Sequence, residues 1–163
     1  MVKYADGPTT EVQQDIAAGV EVVWPLLCDI NLPADYSDEF QRAEWIDDGP
    51  ALGATFRGYN RHERVGEWDL VCTITDYVEQ QVFEWSTGEP ERAARWRFDL
   101  TGTESGSRLR FSAEMGPGPS GLTPAIERMP DREEEIVARR LSEWTSNMER
   151  TVSGIRDRAE QSS

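Results

Sequence analysis

Few side chains in this sequence have both the type and the spacing to do chemistry. His62 is the only histidine, so any acid/base or nucleophilic triad would have to be built around it. It stands among Arg61, Glu63 and Arg64 at the expected end of a hairpin, where a solvated turn histidine is the expectation. The carboxylates Glu44, Glu67 and Glu114 have no spacing that singles out an acid/base pair. Cys28 and Cys72 lie far apart in apolar surroundings and read as buried, reduced thiols. No run has metal-ligand spacing, so neither a metal nor a cofactor is expected. Arg140, beside Leu141 and Trp144, could form an ion pair or meet a ligand carboxylate, with the ion pair favoured.

What the chain has in quantity is aromatic surface on one-sided strands. Trp68, Leu70, Cys72 and Ile74 alternate with Asp69, Val71, Thr73 and Thr75. Phe83 and Trp85 flank Glu84; Trp96, Phe98 and Leu100 oppose Arg95, Arg97 and Asp99; Leu109, Phe111 and Ala113 repeat the scheme. Core packing is the default for each ring alone, whereas together they could fill a core or line a pocket. A polar group in such a wall is more telling, because burying it unpaired is costly. Which one faces inward depends on the hairpin after residue 62: one register turns in Phe56, Gly58 and Asn60 with Trp68, the other Arg57, Tyr59 and Arg61. The first buries Phe56 and exposes two arginines and is preferred, which makes Asn60 the polar candidate.

These strands need a partner, and residues 131–160 supply one. Val137, Leu141, Trp144, Met148, Val152 and Ile155 fall on one face of a long helix. Asp131 is expected as its N-cap with Glu134 three residues on, followed by acidic first turns that suit the positive end of the helix dipole. Upstream, residues 9–17 read as a first strand and 20–29 as a short helix, in which Pro25 predicts a kink or a late start. A turn of helix is expected within 31–38. Strands follow at 40–46, 54–61, 67–77, 81–86, 94–100 and 107–114, with outward Glu84, Arg97 and Arg110 placed to form a charge ladder. Residues 115–130, rich in glycine and proline, are expected to be a mobile loop with a short turn at 125–129.

The chain has 163 residues, 37% of them apolar, with six Trp, five Phe and four Tyr. That is enough for one core, read here as a flexible tail over 1–8, a single domain over 9–160 and a short tail over 161–163. The net charge of −14 opposes phosphate backbones and anionic bilayers, so nucleic-acid partners are not expected. No apolar run approaches the length of a membrane span and the start is polar, so no integral membrane association and a cytoplasmic location are expected. The fold class expected is α+β.

The order of these features resembles the SRPBCC, or START-like, superfamily, in the branch of polyketide cyclases/dehydrases and lipid-transport proteins. The resemblance rests on the strand leading into AAGVEVVWPLLCD, on GPALGATFRGYNR, WDLVCTITDY and GTESGSRLRF, and on the terminal helix, and covers residues 9–158. Gly19, where the family often has proline, and Pro25 depart from it. The resemblance implies a helix-grip fold: a curved antiparallel sheet of about seven strands round the C-terminal helix, with a cavity between them. Phe56, Asn60, Trp68, Phe83, Trp85, Trp96, Phe98, Phe111, Arg140, Trp144 and Met148 are the ligand-binding candidates, and no catalytic residue is singled out. The leading expectation is a binding protein, monomer or homodimer, for a hydrophobic or aromatic small molecule. A cyclase, aromatase or dehydratase of polyketide-like substrates comes second, and a regulatory partner protein third.

Overall fold

The structure, a computed structural model, describes residues 2–88 and 90–162. Seven antiparallel strands form one sheet in the order β1-β7-β6-β5-β4-β3-β2. Their ranges are β1 Thr9–Ile16, β2 Phe40–Trp45, β3 Thr55–His62, β4 Gly66–Val78, β5 Val82–Thr87, β6 Ala94–Thr103 and β7 Gly106–Met115. Helix α1, Val20–Cys28, follows β1; α2, Thr123–Arg128, and α3, Glu133–Ser162, follow β7. This is the expected α+β helix-grip arrangement, with the first strand hydrogen-bonded to the last. No helix among the described residues is long and apolar enough to cross a membrane.

Hairpin geometry sets which side chains look inward. The β3–β4 register pairs Phe56 with Cys72, Gly58 with Leu70 and Asn60 with Trp68, so the preferred register is the one found. A shift between Ile74 and Asp76 then brings Tyr77 opposite Phe83. At the β6–β7 turn, Gly106 has φ +147, and a Cβ there would lie 2.2 Å from the Ile16 carbonyl oxygen. Only glycine fits that approach. The inward set, including Phe83, Phe98, Leu100, Leu109, Ile74, Met148, Val152 and Ile155, is buried in one core.

The outward face carries the charge ladder. Arg97 donates to Asp76 and Glu84, each at 3.0 Å, and to Asp99, while Arg110 donates to Glu11 at 2.5 Å. The Arg110–Glu11 pair is solvated and contributes tenths of a kcal/mol, whereas Arg97 and Glu84 at the centre of the ladder are largely covered.

Several local expectations need correction. The long helix begins at Glu133, and Asp131 lies inside a preceding 3-10 turn, Pro130–Arg132, instead of capping it. The helix also runs on to Ser162, past residue 160, because nothing breaks the chain there; Ser163 lies outside the described residues. Helix α1 starts at Val20 with Gly19 as N-cap, so Pro25 delays nothing; it sits on the exposed side. Residues 4–6 form a turn: the Tyr4 hydroxyl donates to the Gly118 carbonyl at 2.6 Å and its N–H to Glu133 at 2.9 Å. Those bonds tie the expected tail down. The same contacts strap the glycine- and proline-rich segment, where the Gly116 and Gly118 N–H groups donate 2.7 Å bonds to the Ala93 and Arg92 carbonyls in the loop before β6.

Two seams hold α3. Along β1, Thr145 donates its hydroxyl proton to the Leu141 carbonyl at 2.8 Å, so Thr10 is the donor in the 2.6 Å bond between the two threonines. Near its end, Gly154 presses on Tyr36, where a Cβ would lie 2.2 Å from the ring. Gly154→Ala is therefore expected to destabilise the fold by about 1–3 kcal/mol through overpacking, seen as a lowered midpoint in urea unfolding. Tyr36→Ala in the same background should restore much of that loss.

Candidate functional site

Burial along α3 is uneven. Met148, Val152 and Ile155 are buried, whereas Ile136, Leu141 and Trp144 are half-buried. The backbone of α3 packs chiefly against β1 and α1, and it meets the β2–β3 end through side chains. On the sheet opposite its first half, Asn60, Trp68, Leu70, Trp85 and Trp96 face inward yet keep part of their surface accessible. Half-buried residues thus stand on the inward faces of both layers, on the first half of α3 and on strands β3–β6.

The expected site residues divide accordingly. Phe56, Phe83, Phe98, Phe111 and Met148 are buried in the core, with Phe98 stacked on Phe111 at 4.1 Å. Trp85 and Trp96 stack at 6.4 Å with planes 17° apart, and Trp96 meets Trp144 at 4.5 Å. This run of indoles leads from the core to the half-buried stretch of α3. Asn60 sits opposite Trp68 at its outer end.

Beyond Trp144 lies a polar cluster. Arg140 makes a two-pronged ion pair with Glu39, both bonds 2.7 Å, and donates to Glu143 at 2.9 Å. Asn147 adds a 3.3 Å bond to Glu39. His62 is not the solvated turn residue expected from sequence: it ends β3, its side chain is only 13% exposed, and its Nε2 lies 3.4 Å from Glu143. Nδ1 accepts the Arg64 backbone N–H at 3.1 Å, which leaves the ring proton on Nε2, directed at Glu143. Parity contained the signal: a register that turns Asn60 inward turns His62 inward too. Glu39 gave none, because its partner is 101 residues away.

Burial pushes the Glu143 carboxyl up, but the hydrogen bond and charge of Arg140, with the hydrogen bond of His62, outweigh it and hold the group below the usual carboxylate range. Burial also pushes the Cys72 and Cys28 thiols up, to about 12 and about 11, so neither is a nucleophile at neutral pH.

Glu39, His62 and Glu143 bring atoms of metal-ligand type within 4.8 Å of one another. Two features oppose a cation there. Arg140 already neutralises Glu39, and a metal on Nε2 would require a proton on Nδ1, where the Arg64 N–H is accepted. The same bonds leave no free base, since each titratable group is engaged by a neighbour.

The sequence profile described as polyketide cyclase/dehydrase and lipid transport matches residues 8–155. The chain belongs to that family. Among solved structures, a polyketide-cyclase-like protein from Corynebacterium glutamicum is 28% identical, with a TM-score of 0.65 over 91% of this chain and 89% of the other. The Zhui aromatase/cyclase from a Streptomyces species superposes with a TM-score of 0.65 at 15% identity, covering 94% of both chains. The di-domain aromatase/cyclase StfQ of steffimycin biosynthesis gives 0.72 at 13% identity over 94% of this chain and 51% of that one. At those last two identities the likeness is of fold alone. No curated protein matches the chain at the sequence level.

This family member should depend on its cluster for stability. Arg140→Ala strands the buried Glu39 carboxylate and is expected to cost on the order of 3 kcal/mol, whereas Arg108→Ala, which breaks an exposed pair with Asp15, should cost under about 1 kcal/mol. Urea unfolding of both variants measures the contrast. Because the folded-state pKa of Glu143 lies below its unfolded value near 4.5, its stabilisation is present above that pH and lost as pH falls through the folded value. The acid limb of the stability profile should therefore flatten in Glu143→Gln, and an unaltered limb would contradict the assignment.

Proposed function

We propose that this protein binds a hydrophobic, aromatic small molecule in the crevice between the sheet and the first half of α3. The observation that carries the reading is the indole run Trp85, Trp96 and Trp144, in mutual contact yet only half-buried on inward faces. Apolar area left accessible at the mouth of a core gains free energy when a ligand covers it. Asn60 is the polar group placed to orient such a ligand, because its carboxamide has no protein partner among the described residues and faces the same way as Trp68.

The second reading, a cyclase, aromatase or dehydratase of polyketide-like substrates, is favoured by the two aromatase/cyclases whose fold it shares. Against it stands the engagement of His62, Glu143, Glu39 and Arg140 with one another, since a general base needs an unoccupied acceptor in reach of the substrate. Binding without turnover is the better supported of the two.

Titration with a neutral naphthalene fluorophore, N-phenyl-1-naphthylamine, tests the proposal. Saturable probe enhancement with quenching of tryptophan emission is expected, and Trp144→Phe should remove a substantial part of that quenching. An unchanged response in Trp144→Phe sinks the assignment of the crevice. Native mass spectrometry of the purified protein should reveal a retained small molecule, not a covalent adduct.

A further inference from the structure

The polar cluster at the crevice has a charge balance of its own. Glu39 and Glu143 are two carboxylates facing one guanidinium, Arg140. His62 brings no compensating charge, because Nδ1 accepts the Arg64 N–H and the single ring proton points at Glu143. One negative charge is left over. Arg140 cannot serve as an anion receptor, since its terminal nitrogens are spent on Glu39 and Glu143. The neighbouring cations do not compensate: Arg61 alternates to the outer face of β3 and Arg64 is exposed in the turn. Asn147 is neutral and bonds to Glu39, and Arg150, which donates to Asn147, is balanced by its own ion pair with Asp38.

From this geometry we infer that the crevice selects its ligand by charge: it takes an aromatic molecule whose polar end is uncharged or cationic and rejects one that ends in a carboxylate or other anion. The inference rests on the binding reading above and adds the chemical class of the ligand. A ligand anion entering beside Trp144 would lose water while approaching Glu143, and the one cation of the cluster, Arg140, is already engaged by Glu39 and Glu143. An amide loses no charge solvation and can meet Asn60. An ammonium gains from Glu143 and from the accessible indole faces, whose electron-rich surfaces attract cations.

The test uses three probes of one shape, 2-naphthamide, 2-naphthylmethylammonium and 2-naphthoate, each titrated at pH 7 while tryptophan emission is followed. The amide and the ammonium should bind at least about tenfold more tightly than the carboxylate, the size expected of one like-charge encounter at a partly shielded site. Glu143→Gln should bring the three affinities to within a few-fold of one another. Glu104→Gln removes a carboxylate from an exposed turn and should leave the ratios as they are, which separates the local charge from the net −14 of the whole chain. Circular dichroism confirms that both variants fold. Equal or tighter binding of the carboxylate overturns the charge rule, as does a ratio that Glu104→Gln lowers as much as Glu143→Gln. Failure of all three probes overturns the binding reading itself.

Discussion

The Arg140–Glu39 ion pair is the contact on which the shape of this molecule depends. An antiparallel sheet of seven strands has two ends, and to grip a helix it must be fastened to that helix from both. At the β1 end the fastening is uncharged, with Thr10 bonded to Thr145 and Val152 and Ile155 buried beneath. At the β2–β3 end the backbones stand farther from the helix. Long charged side chains bridge the distance: Arg140 to Glu39, His62 to Glu143, Arg150 to Asp38, Arg158 to Asp35. Only the first of these joins two groups that are both largely withdrawn from water. Breaking it would leave a desolvated charge behind, whereas breaking the exposed pairs would leave ions that water readily receives.

That asymmetry accompanies the uneven burial of α3. Beside the uncharged seam Met148, Val152 and Ile155 are sealed, whereas beside the polar bridge the indoles of Trp85, Trp96 and Trp144 contact one another and stay half-buried. The ionisable groups beside these indoles are committed to one another: Arg140 to Glu39 and Glu143, and His62 to Glu143.

Much of this was legible in order and parity. The alternation in β4 identified Cys72 and Ile74 as inward, and the wish to bury Phe56 selected the hairpin register that places Asn60 beside Trp68. The stripe from Val137 to Ile155 announced both the long helix and its need for a sheet. Local chemistry misled in three places. Asp131 looked like a cap, yet the chain makes a 3-10 turn there first; the glycines and prolines after Met115 suggested mobility, yet Tyr4 and the loop before β6 bind that segment; charged neighbours suggested that His62 was solvated.

The sequence by itself determined the periodicities, hence the elements, their inward faces and the family, because side-chain direction along a strand or helix follows from backbone geometry alone. The tertiary structure alone decided which inward residues are sealed and which stay accessible, and it alone brought Glu39 and His62 to Arg140 and Glu143. Those contacts join residues 81 to 101 positions apart. They exist only once the sheet has curled round the helix, and no local pattern encodes the curl that sets their distance.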